Sequence, residues 1–200
     1  ALTTVELPAF RTCERLSLMI NFNDALGALA LPALTALPSG LLIQDNAALA
    51  SVRLPALRTA GSFFSVSGSD VLTTLEVPEL ASVPHNFFVG AVPALTTLAA
   101  PKLTRVRSFT ITSTGVVAPS FPLLTTLDQD LVISGNPALA SLDGLGAIAT
   151  VGAAPVVTPT LRVTDNPALP QCQAEALAAR LTGFGGTVTI SGNDTSAVCP

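Results

Sequence analysis

The chain has 200 residues, 49% of them apolar and only 11% charged, with a formal net charge of −4 and one histidine. This balance supplies a continuous core but no basic footprint for nucleic acid and no Lys/Arg run suited to an anionic membrane. Mean hydropathy is high at +0.61, yet no run reaches the roughly 18 uninterrupted apolar residues of a membrane span, the stretch ALGALALPALTAL being broken by Pro32 and Thr35.

The chain opens inside a repeat, at ALTTVELP, without a signal peptide, and reads as a mature or trimmed form. Residues 25–47, 48–70, 71–93 and 94–115 align as units of 23 residues, loosening to 22, and 1–24 is the same unit with one extra residue. The unit at 116–137 is degenerate at its start. The next (138–167) carries the insertion GAAPVVTPT, and the last (168–194) replaces its middle with a helix-like run. A period of this length marks a stacked repeat array.

Each unit reads L-x-x-L-x-L-P-x-L-x-x-V, then four to six alternating residues, then Asn or Asp. Alternation predicts a strand with one face buried. The inward pairs are Leu18/Ile20, Leu41/Ile43, Phe64/Val66, Phe87/Val89, Phe109/Ile111, Leu131/Ile133, Leu161/Val163 and Val188/Ile190. Eight pairs predict eight coils. Two more inward columns run Val5, Leu29, Val52, Leu75, Leu98 and Phe10, Leu34, Leu57, Leu80, Leu103, Leu124, Ile148. A unit this short cannot bury its apolar face alone, so neighbours must stack on it. The expected fold is a single all-β domain, a β-solenoid of about eight coils, with repeats over 1–167 and a C-terminal cap over 168–200.

Four related segments, LLIQDNAAL, LVISGNPAL, LRVTDNPAL and TVTISGND, place Asn46, Asn136, Asn166 and Asn193 at one corner of the coil. Asn tolerates the turn conformation and bonds locally, and the Pro after it prevents the strand from continuing. A calcium ladder of Asp24, Asp45, Asp165 and Asp194 is too sparse in ligands for that ion. In QCQAEALAARLTGFGG the spacing of Ala174, Leu177 and Leu181 predicts a helix over 173–183, ended by Gly183. Such a helix covers the open end of a stack, which otherwise exposes strand edges.

GNPALASLDGLGAIATVG followed by LRVTDNPALPQCQAEALAARLTGFGGTVTISGND and a late cysteine resembles receptor L-domain-like proteins. That family includes the L domains of insulin- and EGF-receptor ectodomains, yeast cell-wall proteins and bacterial surface proteins or lipoproteins, notably of myxobacteria. The resemblance implies a right-handed solenoid of leucine-rich-repeat character, capped by a helix and a disulfide. It also implies a non-catalytic role in binding proteins at cell surfaces, with a lipid anchor carried ahead of Ala1. On this reading Cys172 and Cys199 bridge the cap in an oxidising compartment. Cys13 shares a column with Leu37, Ala60, Val83, Val106 and Leu127. It is a buried apolar thiol or the partner of a cysteine further upstream.

The sequence shows no active site and no cofactor or metal signature. His85 alone supports neither a triad nor a zinc site. TGFGGT (182–187) follows a helix and opens a strand, the reverse of a phosphate loop. Asp128 and Asp130 share one face of a strand and suit a solvated edge better than a glycosidase pair. NDT (193–195) matches a glycosylation acceptor.

The outward columns are more informative. One runs Met19, Leu42, Ser65, Phe88, Thr110, Val132, Arg162, Thr189, and Phe63 lies in its neighbour. At about 4.8 Å per strand, Met19, Leu42, Phe63 and Phe88 span roughly 15 Å, an apolar patch of the kind that marks an interface. The expected function is a cell-surface or secreted interaction module, presenting this sheet to a protein or glycan partner or to another copy of itself. The alternative is ice or crystal-surface binding through the Thr pairs of three LTTL segments (72–75, 95–98, 124–127), although Gly27–Ala28, Ala50–Ser51 and Ala140–Ser141 interrupt them.

Overall fold

A computed structural model of the protein describes residues 2–13, 16–152 and 158–197. It is a β-solenoid of about eight stacked coils, mostly β, with one α-helix near the C-terminus. A coil contributes up to three extended segments. The first segments β1 (Thr4–Glu6), β3 (Ala28–Ala30), β6 (Ser51–Arg53) and β9 (Thr74–Glu76) form a four-stranded sheet. The second segments are the two-residue strands β4 (Ala36–Leu37), β7 (Thr59–Ala60), β12 (Thr126–Leu127) and β14 (Thr150–Val151). The third segments are β2 (Leu18–Asn21), β5 (Gly40–Gln44), β8 (Phe63–Ser67), β10 (Ser82–Val92), β11 (Arg105–Thr114), β13 (Leu131–Ser134), β15 (Thr160–Thr164) and β16 (Thr187–Ser191). In β10 and β11 the second and third segments merge.

The third segments pair in the order β2-β5-β8-β10-β11-β13-β15-β16, each strand on the next coil's strand, all parallel. Alternation therefore places every second side chain inside. In the six middle coils the inward pairs from Leu41/Ile43 to Leu161/Val163 are buried. Leu29, Val52, Leu98 and Leu34, Leu57, Leu80, Leu103, Leu124, Ile148 are buried as well.

Phe64, Phe87 and Phe109 stack at 5.2 and 5.1 Å between centroids, nearly parallel. Phe121 meets Phe87 and Phe109 edge-on at 5.5 and 4.8 Å. It holds the turn position that Leu31, Leu54, Val77 and Ala100 hold in earlier coils, each accepting a bond from the amide three residues on. Among these positions Ala100 is the smallest side chain and Phe121 the largest, and both are buried.

Three expectations fail at the ends, where a coil has a neighbour on one side only. Val188 occupies the inward column but is 48% exposed. Cys13 lies beside the core as a free thiol, half-buried rather than buried. The helix is α1 (Gln171–Arg180), two residues earlier in its start and three in its end than the spacing predicts. The backbone is already extended at Leu181, before Gly183. Nor does α1 lie across the whole end. It stands in the eighth coil in place of the first and second segments. Its Arg180 donates to the carbonyls of Leu145 (2.8 Å) and Ile148 (3.3 Å), and Gln173 accepts from the Leu142 amide. Among the described residues the outer edge of β16 stays unpaired.

The corner differs from expectation in its division of labour. The left-handed residue is the one before the corner position, once in each coil: Phe22, Asp45, Gly68, Ala91, Ser113, Gly135, Asp165 and Gly192, five of them followed by Asn and the others by Ser69, Val92 and Thr114. The Asn itself supplies hydrogen bonds. Asn166 Nδ2 donates to the carbonyls of Thr164 (2.9 Å) and Ile133 (3.2 Å) and to Asn193 Oδ1 (3.1 Å), while Asn166 Oδ1 accepts from the Asn136 amide and side chain, both at 3.1 Å. Asn136 Oδ1 in turn accepts from Thr114. Asn46 is in the same column but in a separate ladder, accepting from Asn23. Ser69 and Val92 hold the positions between and divide the two ladders.

Candidate interaction face

The outward column of the third segments is continuous. Register pairs Met19 with Leu42, Leu42 with Ser65, Ser65 with Phe88, Phe88 with Thr110, Thr110 with Val132, Val132 with Arg162 and Arg162 with Thr189. Met19 and Leu42 are direct neighbours. Phe88 is two coils from Leu42, about 9.6 Å at the usual strand spacing, with Ser65 between them. Phe63 pairs with Gly40 and Asn86 in the adjacent column. Val132 lies two coils beyond Phe88, across Thr110.

The two aromatic rings do not stand off the sheet. A Cβ on Gly90 would lie 2.8 Å from Phe88 Cζ and 2.9 Å from Thr112 Cγ2, so the Phe88 ring leans along its own strand over the glycine. A Cβ on Gly40 would lie 2.9 Å from the Phe63 amide and 3.0 Å from its Cγ. Each ring covers the bare backbone that a glycine leaves, as aromatic residues do beside sheet glycines. Phe63, Phe88, Leu42 and Val132 are consequently half-buried, whereas Met19 is 59% exposed. Phe22, which the sequence reading missed, is more exposed at 73% and sits one residue beyond β2 in the left-handed conformation.

Arg162 is the one charged member of this column, and elsewhere three ion pairs bridge adjacent coils among the described residues. Arg53 bonds Glu76, Lys102 bonds Glu79 at 2.6 Å, and Arg105 grips Asp128 through Nε and Nη2. The Lys102 hydrogen bond, helped by its charge, lowers the Glu79 pKa below its ordinary value, and the Asp128 hydrogen bond raises that of Arg105. These are exposed pairs of small energetic weight. Asp130 is engaged separately from Asp128, by Ser108 Oγ and the Thr160 amide. Arg107 bonds Gln129, and His85 is exposed. Asn193 of the NDT segment is 8% exposed, its amide spent on the Val163 carbonyl. Among the described residues no three His, Cys, Asp or Glu side chains converge. No helix among the described residues is long and apolar enough to cross a membrane.

The Thr pairs do not share one column. Thr4, Ala28, Ser51 and Thr74 align in the first sheet, whereas the LTTL at 124–127 supplies the second-segment strand β12. Cys172 lies in the first turn of α1. Its expected partner Cys199 lies outside the described residues, as do 153–157 of the insertion. No family model, curated protein or solved structure matches the chain.

Proposed function

We propose that the protein is a non-catalytic interaction module, secreted or held at the outer cell surface, that presents the outward face of its third segments to a protein or glycan partner or to a second copy of itself. The observation that carries this is the in-register column from Met19 to Thr189, along which apolar side chains lie low on a regular parallel sheet. Such a surface is broad and preformed, and it orders few side chains on binding. The receptor L-domain-like assignment belongs to this reading. So does a Cys172–Cys199 bridge, which would staple α1 to the chain end and contribute roughly 3–4 kcal/mol through loop closure.

Light scattering across a concentration series tests the self-association arm. The wild type should gain mass with concentration. Phe88→Glu, which keeps the fold by circular dichroism, should remain a monomer, because a carboxylate beside Gly90 and Thr112 lifts the apolar cover from the centre of the face. Equal behaviour of the two chains would remove self-association through this face.

A further inference from the structure

We infer that the first sheet contains a binding slot for an extended, uncharged polypeptide segment, between the fourth and fifth coils. It lies on a different sheet from the face discussed above and stands or falls independently of it.

The inference starts from a missing rung. At one end of the first segments, an amide donates to the next coil each time: Leu7 to Ala30, Leu31 to Arg53, Leu54 to Glu76, Ala100 to Ser120 and Phe121 to Gly144, at 2.8–3.2 Å. The matching bond from Val77 to Ala99 is absent. At the other end, Gly27 donates to Thr3, Ala50 to Gly27, Thr73 to Ala50, Val117 to Thr96 and Ala140 to Val117, and the bond from Thr96 to Thr73 is absent. The fifth coil turns instead to the sixth, pairing Ala99 with Ser120. Strand β9 thus has β6 on one side and no strand on the other.

Two amides (Val77, Thr96) and two carbonyls (Thr73, Ala99) are left without backbone partners among the described residues. Val77 is 1% exposed, so its amide is a buried donor with no acceptor among the described residues. Buried amides in that state are rare. Three of these residues, Thr73, Val77 and Ala99, line a cavity of about 450 Å³, with Thr74, Leu75 and Glu76 on the same wall as Val77 and Thr97 beside Ala99 on the other. That volume is within the range of ligand sites, about 300–1,000 Å³.

Donors and acceptors spaced along an extended edge are complemented by another extended chain, the chemistry of strand addition. The side chains select an uncharged occupant. Leu75 forms an apolar floor, slightly open where Leu29, Val52 and Leu98 are closed, and Thr97 and Ala99 are small. Glu76 is held by Arg53. Pro78 and Pro101 line the same cavity. Lacking amide hydrogens, they end both edges, so the slot takes about four or five residues.

The test uses the whole chain and a fluorescein-labelled peptide of residues 26–32, LGALALP, whose central residues form β3 of the same sheet. Fluorescence anisotropy should show saturable binding. Methylating alternate peptide amides, which keeps the side chains but removes hydrogen bonds, should weaken it about tenfold or more. Thr97→Arg, an exposed change on the slot wall that leaves the circular dichroism unaltered, should abolish it. No binding to the wild type would overturn the inference. So would equal binding by Thr97→Arg, which would place the peptide on the open edges of β2 or β16, or equal binding of the methylated peptide.

Discussion

Asn166→Ala is expected to lower the free energy of unfolding by about 3–5 kcal/mol, read from urea denaturation followed by circular dichroism. The substitution strands Asn193 Oδ1 and the Asn136 amide in a site with no exposure, and it removes one donor each from the carbonyls of Thr164 and Ile133. Each buried polar group left unpaired costs about 1–3 kcal/mol, and partial relaxation keeps the total below the sum. Position 69 provides the internal control. Ser69 occupies the same corner column, and its hydroxyl is buried without a partner. Ser69→Ala should therefore change stability by no more than about 0.5 kcal/mol, or raise it. Similar losses for both variants would mean that the corner tolerates Asn rather than depends on it.

Phe87→Ala should cost about as much, 3–5 kcal/mol, the usual range for a buried aromatic truncated to Ala. Phe87 touches the rings of Phe64, Phe109 and Phe121, and no other aromatic in the stack touches three. Its loss also thins the contact between coils three, four and five. In a stack held by nearest-neighbour interfaces, the transition should broaden and its denaturant slope fall as the two halves begin to melt separately. Phe87→Leu should cost only about 1–1.5 kcal/mol, because most of the volume is kept. A full-sized slope for Phe87→Ala would show that cooperativity does not pass through the aromatic column.

The period and the inward columns were legible because burial acts on every coil in the same way. A Leu, Phe or Val recurring every 22–23 residues has little physical cause other than stacking, and the register of the third segments follows from it. The ends were less legible, since a periodic pattern does not announce its last member. Val188 has the right spacing and the wrong neighbour. The corner was half-read. Asn is conspicuous in sequence, but the residue before it bears the left-handed turn, and its identity ranges from Gly to Phe22. Asn23, in FND rather than DNAAL or GNPAL, belongs to the ladder and was passed over.

On the outward face, the apolar side chains were evident and their posture was not. That Phe63 covers Gly40 requires the exact pairing of two strands, and that Phe88 leans over Gly90 requires a side-chain direction. The slot left even less trace. The fifth unit is one residue shorter than the fourth, yet nothing in ALTTLAAP distinguishes a strand that pairs backward from one that pairs only forward.

The most direct test of the account is residue-resolved amide hydrogen exchange by NMR. The claim is a stack of coils in strict register with one rung missing. Amides of Leu31, Leu54, Ala100 and Phe121 should be strongly protected, each bonded to the next coil, while Val77 at the same position should exchange far faster. Protection of Val77 equal to that of Leu54 would close the slot, and weak protection at all five positions would contradict the stacked solenoid itself.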